Sequence, residues 1–208
     1  LPLNLNVPAM RKCLTLFALL FTFCTSRAQN INDLESLENA IKPGTQLTYD
    51  VNAGGKQYKF IVTIKKLGAE IAFDWKMTEP VNKTGSVAMS AAAVAKADAL
   101  FNYFNGGPTV LEKETSVWIS QKLFNDIATT AQGAIRVNGA ADTVTVMSNT
   151  ISEFNFNLNG NLVAIPGWEL QGGSDIKYTI DVIESAKFPL IVRMDLGWTI
   201  SLSEVKSQ

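Results

Sequence analysis

Between Thr45 and Met77 apolar and polar residues alternate through three consecutive runs. In the first, Leu47, Tyr49 and Val51 share one face while Gln46, Thr48 and Asp50 share the other. After Gly54-Gly55, Tyr58, Phe60, Val62 and Ile64 alternate with Lys59, Thr63 and Lys65. After Gly68, Ile71, Phe73, Trp75 and Met77 alternate with Ala72, Asp74 and Lys76. A period of two, interrupted by glycine turns, predicts antiparallel strands buried on one side. The stretch is therefore expected to be a meander with one apolar face.

The rest of the chain repeats this pattern with few helical interruptions. Leu34, Leu37 and Ile41 predict a short helix over 33–41, with Asp33 as its N-cap and Pro43-Gly44 ending it. Ser86 to Met89 is a brief strand. Ser90 to Phe104 has the composition of a helix, because alanine dominates it and Val94, Ala97, Phe101 and Phe104 fall on one face before Asn105-Gly106-Gly107-Pro108. Thr115 to Ser120 alternates around Val117 and Ile119, which places Trp118 on the opposite, outer face. Ser120 then caps a short helix over 121–128.

Two hairpins follow. One pairs Ala134–Val137 with Thr143–Met147 across Asn138 to Asp142, and the other pairs the run around Phe154, Phe156 and Leu158 with Leu162–Ile165 across Asn159-Gly160-Asn161. A short run around Trp168 and Leu170 precedes three last strands at Ile176–Ile183, Pro189–Met194 and Trp198–Val205. Turn signals recur at short intervals and no shift in composition marks a linker, so 29–208 is expected to be one β-rich α+β domain. The expected architecture is a single curved sheet or open barrel of about a dozen short antiparallel strands, with 90–104 as the covering helix.

Composition adds a compartment. Arg11-Lys12, the apolar run Leu14 to Phe23 and the exit Thr25-Ser26-Arg27-Ala28 have the three parts of a secretory signal peptide over 10–28, too short to span a bilayer. Residues 1–9 lie ahead of the more natural start at Met10 and read as an overlong gene start. Removing the leader leaves 15 basic residues against 19 acidic ones, a net charge of −4. Such a surface lacks the concentrated positive charge that nucleic acid requires. The mature chain would be periplasmic or secreted, with no integral membrane span. Cys24 is disfavoured as a lipidation site because Phe23, not a small residue, precedes it.

Chemistry is constrained by what is missing. There is no histidine, and Cys13 and Cys24 both lie in the leader, so the mature chain has neither imidazole nor thiolate. Serine-histidine, cysteine-histidine and histidine-zinc centres are excluded. Glu112, Glu114 and Asp126 form the densest acidic group but read as a solvated surface. The Ser203-x-x-Lys206 spacing falls at a chain end unsuited to holding a desolvated lysine. The glycine pairs lack phosphate-loop spacing, and Asp50, Asp74, Asp142 and Asp181 lack calcium-loop spacing. No catalytic residue, metal ligand or cofactor is assigned.

Two short motifs are surface-modification patterns: Asn82-Lys83-Thr84 for N-glycosylation and Asp142-Thr143-Val144 for bacterial O-glycosylation at Thr143. Aromatic residues are plentiful, with eleven phenylalanines and four tryptophans. They read either as an ordinary core or as the walls of an apolar ligand site, for which the candidates are Tyr58, Phe60, Phe73, Trp75, Phe101 and Phe104.

The Pro43-Gly44-x-x-Leu47-x-Tyr49 opening, the meander behind it and the closing Pro189-Leu190-Ile191-Val192-Arg193-Met194 strand resemble an uncharacterised family of exported bacterial β-rich proteins. Those chains resemble the open half-barrel of lipoprotein carriers such as the outer-membrane lipoprotein localisation factor. The likeness covers the ends of the mature chain, and its motifs are structural. It implies an unclosed or flattened barrel suited to a lipid-like ligand and transfers no functional residue. The expected function is therefore a non-catalytic exported protein that binds an apolar or lipid-like ligand. The alternative is a packed interaction module of the cell envelope.

Overall fold

The computed structural model describes residues 32–137, 139–147, 152–173 and 177–208. The leader over 10–28, the segment 1–9, Cys13, Cys24, Asn138 and Ile176 lie outside the described residues. The meander forms as β1 (Gln46–Ala53), β2 (Lys56–Lys66) and β3 (Ile71–Met77). Ala53 pairs with Lys56, so Gly54 and Gly55 alone make the first turn. Both have positive φ, 58° and 73°, which is the geometry a two-residue hairpin needs and glycine supplies without steric cost. Register then stacks Tyr49 beside Phe60 and Met77, and Leu47 beside Val62 and Trp75, all toward the core.

The sheet continues into β4 (Thr84–Met89), where Gly85 lies opposite Trp75. A Cβ on Gly85 would stand 2.6 Å from Trp75 Cζ2, so the indole lies over a position that only glycine leaves open. β4 pairs in parallel with β6 (Gly107–Leu111), reached through α2 (Ala91–Lys96) and β5 (Ala99–Leu100). The expected helix over 90–104 thus stops at Lys96. Ser90 caps it as expected, its Oγ accepting from the Ala93 N–H at 3.2 Å. Ala97 then leaves helical geometry and Ala99–Leu100 pair in parallel with β7 (Gln132–Val137). Asp98 meets Arg136 at 2.6 Å and the Phe101 N–H donates to the Thr115 carbonyl. Helix propensity is a weak preference, and these pairings with distant strands override it.

The run 115–120 is also not a strand. Val117 adopts a left-handed conformation (φ 67°), which breaks the alternation and turns Trp118 inward to 1% exposure, against Phe73 at 5.9 Å between ring centres. Trp118 is therefore core rather than outer face. Ser120 does cap α3 (Gln121–Thr130): its hydroxyl accepts from the Leu123 N–H and donates to the Ala97 carbonyl, joining α3 to the end of α2. Leu123, Phe124 and Ile127 bury the inner face of α3. The first helix, α1, spans 32–40 and packs Leu37 and Ala40 inside. Asp33 lies within this helix instead of capping it, and its carboxylate accepts from the Ala164 N–H.

The remaining strands are β8 (Ala140–Val146), β9 (Ser152–Leu158), β10 (Asn161–Gly172), β11 (Tyr178–Ile183), β12 (Ile191–Asp195) and β13 (Thr199–Lys206). The expected Trp168 run belongs to the long β10. All thirteen strands belong to one sheet, ordered β5-β7-β8-β10-β11-β12-β13-β1-β2-β3-β4-β6, with β9 pairing both β10 and β13. The β9–β13 contact, Glu204 to Asn157 and Val205 to Leu158, closes β9 through β13 into a five-stranded barrel. Two wings leave that ring. The wing from β13 carries the meander, and the wing from β10 carries β8, β7 and β5. The fold is the curved, mostly antiparallel β-rich architecture that the runs predict, with a few short helices.

Candidate functional site

One end of the meander wing brings three turns together: the β1–β2 turn, the loop 78–83 between β3 and β4, and the β12–β13 turn at Leu196 to Trp198. The inward faces of β1, β2 and β13 run out under these turns as a floor of Val51, Phe60 and Ile200, with Met194 of β12 beside them. Among the described residues, none that lines this end belongs to a helix. The irregular segment after β5 passes over it, and a cleft of about 470 Å³ opens to solvent between that segment, Tyr58, Met77 and Trp198.

Because α2 stops early, Phe104 reaches the floor from irregular chain. Its ring lies 4.5 Å from Phe60, 5.2 Å from Trp75 and 5.4 Å from Phe101 between centres, edge-on to the last two. Offset and edge-on pairs of this kind add to the stabilisation from burial alone. Behind Phe60 and Phe104 the interior is nearly filled, with about 20 Å³ left among Tyr49, Phe101 and Ile191. Tyr49 fixes that boundary by donating to the Ile191 carbonyl at 2.9 Å, and burial pushes its phenol well above the ordinary range. The open space therefore lies in front of Phe104.

The six aromatic candidates separate accordingly. Tyr58, Phe60 and Phe104 line the cleft, while Trp75 and Phe101 stand behind it and support Phe104. Phe73 is elsewhere: it is 1% exposed against Trp118, so it packs the core and does not line the cleft. Sequence reading missed Met194, Trp198, Tyr103 and Lys83. The alternation of the closing hairpin carried a signal for Met194, which pairs with Ile200 on the apolar face. Tyr103 and Lys83 sit in loops, where no periodicity points.

A second chemical feature lies outside the cleft. Asp181 on β11 is paired across strands with Glu169 on β10 and Arg193 on β12. Its side chain is 1% exposed, neither oxygen accepts a hydrogen bond, and Arg193 Nε stands 3.7 Å away. Burial pushes its pKa up to about 6; Arg193 opposes the shift and Glu169 adds to it. Asp142 is the reverse case, held low chiefly by the Thr143 N–H and also by the Gly173 N–H. Thr143 itself is exposed. Asp126 pairs with Lys122 at 2.5 Å, and among the described residues it does not converge with Glu112 and Glu114 as a metal-holding group.

Among the described residues no three His, Cys, Asp or Glu side chains converge as metal ligands, and no helix is long and apolar enough to cross a membrane. No protein-family description, no curated protein and no solved structure matches this chain. The geometry of the chain itself carries the functional reading.

Proposed function

We propose that this chain is an exported, non-catalytic protein that binds an apolar or lipid-like ligand in the cleft before Phe104. One observation carries the reading: an apolar sheet face, nearly filled behind Phe104, ends in a solvent-open space of about 470 Å³ floored by Val51, Phe60 and Ile200. That volume lies within the roughly 300–1,000 Å³ typical of small-ligand sites. The leader-like segment 10–28 supports export.

The test is titration with N-phenyl-1-naphthylamine, an uncharged apolar probe whose emission rises on leaving water. Saturable binding at one site, weakened by Trp198→Ala, is expected. No binding by the wild-type protein overturns the reading.

One observation favours the alternative, an interaction module of the cell envelope. The interior behind Phe104 is packed, and Tyr103 beside the cleft is 58% exposed, a disposition that suits a protein side chain as well as a small ligand. Failure of the probe to bind, together with a specific cross-linked partner lost on Tyr103→Ala, would establish that alternative.

A further inference from the structure

We propose that the cleft's ligand is a single-chain amphiphile with an anionic head and that Lys83 is the head-group contact, an inference that rests on the ligand-binding reading above. Among the side chains lining the cleft, Lys83 is the one that is a lysine, arginine, aspartate or glutamate. Lys83 makes no ion pair among the described residues. Lys59, Lys65, Lys66, Lys122 and Arg136 each hold a carboxylate within 2.9 Å; of the lysines that do not, Lys83 is the one that lines the cleft. An uncommitted ammonium at the rim of an otherwise apolar space is a charge without its complement.

Its position is fixed from the backbone. The Met77 N–H donates to the Lys83 carbonyl at 2.7 Å, holding the lysine beside the strand whose last residue walls the cleft. The lysine itself is exposed, so its stem can lie along Met77 and Val81 while its ammonium stays at the water boundary. The floor beneath takes an apolar tail. An amphiphile entering tail-first leaves its head at the mouth, within reach of Lys83 and the Asn105 amide. A cationic head would meet like charge there. The chain count follows from size: about 470 Å³ is in the lower half of the small-ligand range and suits one acyl chain, whereas a second would lie on exposed surface. Lysine acts as a point charge and does not select among carboxylate, sulfonate and phosphate heads.

The experiment displaces bound N-phenyl-1-naphthylamine with laurate, dodecyltrimethylammonium and dodecyl maltoside, each below its micelle concentration. A charge contact at the water-exposed mouth, attractive for laurate and repulsive for the cation, predicts that laurate displaces the probe at roughly three- to tenfold lower concentration than the cationic amphiphile. Lys83→Gln should abolish that preference and Lys83→Glu should reverse it, each read as the ratio of laurate to cation displacement within the same variant. Equal displacement by the two charged amphiphiles, or a preference for laurate that survives Lys83→Gln, overturns the head-group assignment while leaving the cleft reading intact. Absence of probe binding in the wild-type protein overturns both.

Discussion

Asp181 makes the stability of this protein depend on pH in a direction opposite to that of an ordinary salt-bridged carboxylate. Its pKa stands at about 6 in the fold against an ordinary 3.8, because burial disfavours the charge more than Arg193 at 3.7 Å favours it. The folded chain thus holds the Asp181 proton more tightly than the unfolded chain does. The resulting stabilisation is fully present below about pH 4, declines as pH rises toward 6, and is gone above that. A gap of this size corresponds to about 3 kcal/mol, and with the side chain 1% exposed there is little solvent screening to reduce it. Asp181→Asn keeps the shape and stays neutral, so it isolates this contribution from every other titrating group. Urea unfolding followed by tryptophan emission at pH 4.5, 5.5, 6.5 and 7.5 should show the stability of Asp181→Asn relative to wild type rising by about 2 kcal/mol across that window, the first part of the loss having occurred below pH 4.5. Curves that stay parallel, or a wild type that gains on the variant as pH rises, would refute the reasoning.

Three further outcomes follow from the packing. Ser120→Ala removes the α3 cap and strands the Ala97 carbonyl, and should cost about 1–3 kcal/mol by urea midpoint. Gly85→Ala drives a methyl into Trp75 Cζ2 and should cost about 1–3 kcal/mol with an altered near-ultraviolet circular dichroism of the aromatic cluster. Phe73→Ala should lose about 3–5 kcal/mol of stability yet leave probe affinity unchanged, since Phe73 lies against Trp118 and away from the cleft.

Where the backbone obeyed one local rule from end to end, the fold was legible in the sequence. The meander, its glycine turn and the caps at Ser90 and Ser120 are local features, and each lies where its pattern puts it. The errors arose where a distant pairing decided the matter. The alanine-rich run gave up its helix at Ala97 because Leu100 pairs with Val137. Trp118 turned inward because Val117 took a left-handed conformation. The parallel pairs β4–β6, β5–β7 and β13–β9 join segments whose side-chain patterns carry no record of their partners. The candidate site divided in the same way. Alternation identified Tyr58 and Phe60, helical spacing named Phe104 for the wrong reason, and the loop contribution of Lys83 left no periodic trace.

The methionine methyls offer a direct test of the cleft. Met77 and Met194 line it, whereas Met89 is buried elsewhere and accepts from the Ser116 N–H. In a ¹³C-methyl NMR titration with N-phenyl-1-naphthylamine, the naphthyl ring should move the Met77 and Met194 resonances saturably along one binding curve and leave Met89 in place. Met77 and Met194 resonances that stay fixed while the probe saturates, or shifts centred on Met89, would contradict the account.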